Sequence, residues 1–542
     1  MRRLPVLDSS PKTPRAWLKL FKPTRWMHLE AKRLTGKYRA SKMFCSPVND
    51  WTSAWEAGTQ RLTTSMNMVV KQSFFRKTGF ALCLWTAFQT LGVAQVPSEP
   101  ERNRLLNGLR VVLWSRPGDQ EVLIKLRIHS GAAFDLAGKA GSMALLGDLL
   151  FPDPTTREYF TEEMKGRLNV TTDYDSITIT MQGRAREFER IIEVLRTAVG
   201  TPQLTPENVA KAREGRIKII RETSISPGMV ADRAIASRLF GDFPYGRPYI
   251  GTVESLERVE RVDLLLASER FLTPNNSTMV IIGGVQSNRA MRVVRQLLGG
   301  WRKSEQLVPA SFRQPLLPDS RALVINSPAD QSVEVRLAIR GFARHDRDAT
   351  AATLLGIVLR QRWEKLLPEL SRSPVFVRHD TFALPGMFVM GSTVDYLLAG
   401  KALATAQQAI KSLASSPVTT AELEQARGEV VARISRELAQ PDGLAAAWVD
   451  IDTYGLPSVA EQMSALSTVS PGDLQRAATR LFSEGAFASV VVGNSELVKT
   501  QIERYGKVEL MGELDPRTGS KPQTKSDQNV TKPQTNPAAK PE

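Results

Sequence analysis

Two stretches of this chain end alike, and they constrain its fold more than any other feature. Asp263 opens DLLLASERFLTPNNSTMVIIGGV, and Asp473 opens DLQRAATRLFSEGAFASVVVGNS. Each runs from an aspartate through helical spacing, across a Gly- or Asn-bearing turn, into a β-branched strand closed by glycine. Asp263 and Gly283, like Asp473 and Gly493, stand twenty positions apart. The aspartate before each apolar run fits an N-cap, its carboxylate accepting from the free backbone N–H groups of the first turn. A unit repeated 210 residues apart implies two homologous domains. The chain's 542 residues are in any case too many for one core.

The first domain is expected at residues 97–301 and the second at 316–512, joined by a polar, proline-bearing linker at 302–315. Residues 122–129 (VLIKLRIH), 176–181 (SITITM), 333–339 (VEVRLAI) and 388–394 (FVMGSTV) read as strands. Residues 184–199, 206–222, 346–367, 400–414 and 420–438 carry helical periodicity. Strands that neighbour one another among such helices predict an α+β fold of two homologous α/β sandwich domains, each sheet covered on one side by helices. Residues 513–542 turn polar and repeat KPQT at Lys521 and Lys532, as a disordered tail does.

A net charge of +16 invites a nucleic-acid reading, but its distribution argues against one. Residues 1–94 hold 16 Lys and Arg against 4 Asp and Glu, and the rest of the chain holds 56 against 52. A phosphate-binding groove needs clustered charge on a folded face, so no nucleic-acid partner is expected. The basic segment carries a signal-peptide pattern instead. Lys71, Arg76 and Lys77 precede an apolar run at 79–91, and Gly92-Val93-Ala94 places small residues before Gln95. The run is shorter than the roughly 20 apolar residues of a membrane span. The expectation is a signal peptide at 66–94, starting at Met66 or Met68, and a non-domain extension at 1–65. The protein is then exported, periplasmic or secreted, with no stable span after cleavage; a retained anchor is the alternative. Cys45 and Cys83 both precede the cleavage point, so the processed chain has no disulfide, thiolate metal site or cysteine nucleophile.

Several short motifs occur in a telling order. They are Leu106-Asn107-Gly108-Leu109-Arg110-Val111, then Gly166-Arg167-Leu168-Asn169-Val170 with Thr172-Asp173-Tyr174, then Phe243-Pro244-Tyr245-Gly246 with Ile250-Gly251-Thr252, then Leu272-Thr273-Pro274-Asn275-Asn276. From Arg104 to Ser495 this arrangement resembles the pitrilysin/insulinase zinc peptidases. The resemblance implies the fold of the mitochondrial processing peptidase, one half of a clamshell that pairs with a second chain. It also implies an opening strand at Leu106–Val111.

That family's chemistry sits on a helix carrying H-x-x-E-H, where two histidines bind zinc and the glutamate activates water. The segment GAAFDLAGKAGSMALLGDLLF, residues 131–151, keeps the frame of this helix. Counting from Gly131 puts the first histidine at Ala144, the glutamate at Gly147 and the second histidine at Asp148, and Phe151 supports that register. All three are substituted. Glu222 alone matches the third ligand; it is expected to be a solvated or arginine-paired helix residue, the alternative being that it faces Asp148. Two carboxylates make a poor zinc site, because zinc favours nitrogen or sulfur donors. Loss of the general base removes a further factor of roughly 10²–10⁴.

His129, His345 and His379 are the only histidines after the signal, and none is within helical spacing of another. The substrate-holding arginine and tyrosine of active relatives fall at Pro368 and near Phe376, with Arg360 or Arg378 as substitutes for the arginine. Ser142 lacks a G-x-S-x-G elbow, and no Walker or dinucleotide glycine pattern occurs. The sequence therefore predicts a catalytically inactive member of the family with no cofactor. Its expected role is the non-catalytic subunit of an active HxxEH-containing peptidase, as a heterodimer partner or within a homodimer, with peptides as ligands. The alternative is a structural or interaction protein of the same fold with no proteolytic partner.

Overall fold

A computed structural model describes residues 99–223, 226–305, 312–327, 331–367, 375–483 and 485–511. The signal-like segment, both cysteines, Pro368 and the polar tail lie outside these residues. Strands β1 (Glu101–Arg104), β2 (Arg110–Ser115), β3 (Glu121–Ile128), β4 (Arg167–Thr172), β5 (Ile177–Arg184) and β6 (Ser277–Gly283) form one sheet, ordered β1-β2-β6-β3-β5-β4. Strands β7 (Ala322–Asn326), β8 (Ser332–Arg340), β9 (Phe376–Asp380), β10 (Met387–Asp395), β11 (Ala488–Gly493) and β12 (Val508–Met511) form a second, ordered β12-β7-β11-β8-β10-β9. From the second strand onward the two orders are the same. Both sheets hold an equivalent parallel pair, β2 with β6 and β7 with β11; the second also pairs β12 with β7 in parallel, and the remaining pairs are antiparallel. The repeat seen in the sequence is thus a repeat of topology.

The first half carries helices α1 (Ser142–Asp148), α2 (Pro154–Glu158), α3 (Phe188–Gly200), α4 (Pro206–Thr223), α5 (Pro227–Phe240), α6 (Val253–Glu257), α7 (Arg261–Phe271) and α8 (Ser287–Leu298). The second carries α9 (Ala349–Leu366), α10 (Ala399–Ser415), α11 (Thr420–Leu438), α12 (Pro441–Tyr454), α13 (Val459–Thr468), α14 (Pro471–Phe482) and α15 (Ser495–Glu503). Among the described residues no helix is long and apolar enough to cross a membrane.

The repeated unit is α7 into β6 and α14 into β11, but its two aspartates are not N-caps. Glu260 and Ser470 hold that position, and Asp263 and Asp473 sit three residues in. Each carboxylate reaches back to the cap residue's backbone N–H, at 2.7 Å from Glu260 and 2.8 Å from Ser470, closing a capping box. A second difference concerns the opening strand. Leu105 to Leu109 forms a turn, with Gly108 donating to the Leu105 carbonyl, and the strand starts only at Arg110.

The sheets are also covered on both faces rather than one. On β3, Val122, Ile124, Leu126 and Ile128 face the helices of their own half, and Leu123, Lys125 and Arg127 face the other way. That second face is covered by α12 from the second half, whose Leu444, Ala445, Trp448 and Val449 pack on Val112, Leu123, Val280 and Ile282. Reciprocally, α5 of the first half places Ala231, Ile235 and Leu239 on Leu323, Ala338, Val389 and Val490 of the second sheet. The charged residues on these strand faces are therefore buried and paired. Lys125 meets Asp442 at 3.1 Å, Arg127 meets Asp450, and Arg336 meets Asp232 at 2.6 Å. Each exchanged helix brings the carboxylates that the opposite sheet needs.

Candidate functional site

The frame of the degenerate motif begins at Gly131, where a Cβ would stand 2.3 Å from the Asp173 carbonyl oxygen, so only glycine lets the loop pass the β4–β5 turn. The loop then delivers Asp135 to the start of α1. Its carboxylate accepts from Gly141 N–H at 2.6 Å, Met143 N–H at 2.8 Å and the Ser142 hydroxyl at 2.7 Å, satisfying donors that open every helix. Burial pushes the Asp135 carboxyl up to about 6, against the pull of these bonds. Gly141 has φ +88°, and a Cβ there would stand 2.7 Å from Gly251. The helix is thus fixed at its N-terminus by Asp135 and by glycine contacts with the 250–251 loop.

The three motif positions follow on α1. Ala144 and Gly147 are buried and offer no donor atom. A Cβ at Gly147 would stand 2.8 Å from Thr172 Oγ1 on edge strand β4, so a side chain at the general-base position would displace that threonine. Asp148 has a carboxylate, but it is engaged: Arg216 of α4 donates through Nε at 2.7 Å to Asp148 and through Nη2 at 3.0 Å to the Ala144 carbonyl. The Asp148 carboxyl is pushed up by burial, and the Arg216 charge works against that rise.

Glu222 does not face Asp148. Its side chain is 63% exposed at the end of α4, with Lys218 its nearest cation at 3.9 Å. The side chain that reaches from α4 to the motif helix is Arg216, one and a half turns earlier, which the sequence reading missed. No local pattern marks it, because its partner lies 68 residues away.

Zinc needs three or more nitrogen, sulfur or oxygen ligands converging at about 2.0–2.3 Å. Here two positions lack donors, one donor is held by a guanidinium, and the last points to solvent, so these residues do not fit a zinc ion. Among the described residues no group of three His, Cys, Asp or Glu is placed to hold a metal. His129 lies between Thr278 Oγ1 at 3.0 Å and Thr453 Oγ1 at 3.1 Å, and burial pushes its imidazole down to about 3. His379 accepts from Phe342 N–H at 3.0 Å. Both are structural.

In the second half, Arg362 binds Glu422 at 2.8 Å, and Arg360 binds Glu364 and Glu429, each at 2.8 Å, on the helical layer. Phe376 lies between Arg336 and Arg378, each guanidinium 4.9 Å from its ring. Arg378 lines a cavity that also contains Tyr174 and Arg247. Of the substitute arginines, it alone stands near the first half's loops.

Comparison with known proteins gives concordant matches. Residues 110–253 match the family described as insulinase (peptidase family M16), and residues 258–430 match the peptidase M16 inactive domain. An uncharacterised zinc protease of Mycobacterium leprae is 21% identical over 341 residues, covering 61% of this chain and 77% of that protein. One from Mycobacterium bovis is 25% identical over 346 residues, covering 61% and 78%. Among solved structures, a protease from Helicobacter pylori superposes with TM-score 0.67 at 16% identity, over 73% of this chain and 99% of that one. A peptidase M16 inactive domain from Pseudomonas fluorescens superposes with TM-score 0.65 at 16% identity, over 73% and 98%. With the two sequence matches together spanning more than half of its length, and the duplicated fold to go with them, this chain belongs to the insulinase family of M16 peptidases.

Proposed function

We infer that this chain is a catalytically inactive insulinase-family protein, exported from the cytoplasm, that acts as the non-catalytic subunit of a zinc metallopeptidase. A partner that keeps H-x-x-E-H supplies metal and base, and this chain supplies half of the wall around the peptide. The observation that carries the reading is the Arg216–Asp148 ion pair standing in an otherwise preserved frame. The helix is held in place, yet its chemistry-bearing positions are Ala144, Gly147 and a neutralised Asp148. Strand β4, at the sheet's edge beside α1, supports a role in holding peptide. Among the described residues it pairs only with β5, and the register turns the backbone groups of Val170 and Thr172 outward, where an extended peptide adds as a further strand.

The test is zinc analysis and peptide hydrolysis by the purified chain, alone and after mixing with a family member that retains H-x-x-E-H. The expected result is a chain without stoichiometric zinc and without activity alone, which forms a complex of higher activity than the partner by itself. Stoichiometric zinc and hydrolysis by the lone chain would overturn the inactive reading. An inert chain that forms no active complex would leave the structural, partnerless role.

A further inference from the structure

Almost every arginine at the seam between the two halves has a carboxylate; Arg233, on the exchanged helix α5, has none. Among the described residues it takes part in no ion pair and no hydrogen bond. It lines a cavity of about 340 Å³ together with Tyr174, Asp232, Arg247, Tyr249 and Arg378. A larger cavity of about 760 Å³ is also lined by Arg233 and Arg247. Arg247 is nearly as free. Its Nη1 donates to the Asp135 backbone carbonyl at 3.0 Å, its Nε is buried without a partner, and it has no ion pair among the described residues.

The nearby carboxylates are committed elsewhere. Asp232 binds Arg336 at 2.6 Å and has Arg378 at 3.9 Å, Asp380 has Arg378 at 3.4 Å, and both Asp135 oxygens serve the start of α1. Burial holds the Arg233 guanidinium below the usual arginine range, with only the Tyr174 phenol acting against it. Arg233 is half-buried, and a partly desolvated cation without a partner is unfavourable in the free protein; its natural complement is an anion from outside.

We propose that Arg233 and Arg247 form a binding site for a compact oxyanion, best matched by the C-terminal carboxylate of a peptide ending in an apolar residue. Guanidinium groups bind carboxylate and phosphate through paired N–H donors, so the two share this recognition chemistry. The apolar body is favoured by Met229, Pro248 and Ile250 in the same cavity wall and by the rings of Tyr174 and Tyr249, 5.6 Å apart. The volume is at the small end of ligand pockets and fits one or two residues. The site is complete within one chain and rests neither on a partner subunit nor on zinc.

The test is calorimetric titration of the full chain with acetyl-Ala-Ala-Leu as free acid, with its C-terminal amide, and with inorganic phosphate. Each is repeated on Arg233→Met. The acid is expected to bind, the amide at least tenfold more weakly, and Arg233→Met to bind the acid at least tenfold more weakly than the parent. Phosphate binding as tightly as the acid, and lost with it in Arg233→Met, supports the oxyanion site and assigns it to free anions. Without ligand, Arg233→Met is expected to melt no lower than the parent, since it removes an unpaired charge. Absence of binding by both acid and phosphate, undiminished binding in Arg233→Met, or a clearly lowered melting temperature for that variant would each overturn the proposal.

Discussion

Replacing Arg216 by alanine isolates the interaction that stands where catalysis would be. The Arg216 side chain is 15% exposed and the Asp148 side chain 37% exposed, so the pair lies between a surface bridge and a buried one. Surface pairs contribute about 0–1 kcal/mol, and breaking a buried pair from one side costs about 3–5 kcal/mol. An intermediate site is worth about 2 kcal/mol on that scale, discounted for solvent at Asp148. Loss of the bond to the Ala144 carbonyl adds about 1 kcal/mol. Arg216→Ala is therefore expected to destabilise by about 2–3 kcal/mol, Asp148→Ala by about 1–2 kcal/mol, and the double variant by less than their sum.

Urea unfolding followed by circular dichroism measures all four proteins of the cycle. Burial already raises the Asp148 carboxyl, and removing Arg216 raises it further. The penalty in Arg216→Ala belongs to the ionised form, so it should be present at neutral pH and shrink as the pH falls and Asp148 protonates. Additive single effects, or a penalty independent of pH, would refute the claim that this pair fills the degenerate site.

Three further outcomes are expected. Rebuilding the motif as Ala144→His, Gly147→Glu and Asp148→His should not restore stoichiometric zinc on metal analysis, because Thr172 crowds position 147, Arg216 sits beside 148 and Glu222 points away. A zinc-loaded triple variant would show the frame to be closer to competent than argued. Trp448→Ala removes the residue that α12 plants against Trp114, ring centroids 5.8 Å apart, and should cost about 3–5 kcal/mol; calorimetry should show both sheets losing stability in one transition, and selective loss of one sheet would contradict the shared core. Asp175, buried and bonded to Tyr245 and the Ala383 N–H, is pushed up to about 6, so the stability tied to its neutral form is lost as the pH rises through that value. His129 and His379, held down at about 3 and about 4, act in the opposite direction. The readout is thus the difference between Asp175→Asn and the parent in thermal melts from about pH 5 to 7.5, which should shift in favour of the variant as pH rises; parallel curves would remove Asp175 as the cause.

The parts of this structure that were legible in the sequence are those governed by short-range pattern. Residues 420–438 are helical from end to end, and the alternation at 333–339 and 388–394 marks β8 and β10 to within a residue or two. What escaped is long-range. The helices at Pro227–Phe240 and Pro441–Tyr454 serve the opposite sheet, so their buried faces are dictated by strands that nothing in their own spacing reveals. Lys125 and Arg336 look like the wet side of half-exposed strands until the arriving Asp442 and Asp232 are known. Arg216 is one arginine among many along α4, and only the folded distance to Asp148 distinguishes it.

The way α1 is secured bears on how such a chain arises. The bonds that seat the helix run from Asp135 to residues 141–143, ahead of every position where an active relative carries a ligand. The helix's N-terminal anchorage therefore does not run through positions 144, 147 and 148. Were a second subunit to hydrolyse the peptide, as proposed above, those three side chains would be released from catalytic selection while the loop that grips the helix stays under the full demand of folding. Ligands lost in this order leave an intact scaffold behind, and the scaffold is then free to be selected for what it touches rather than for what it cuts.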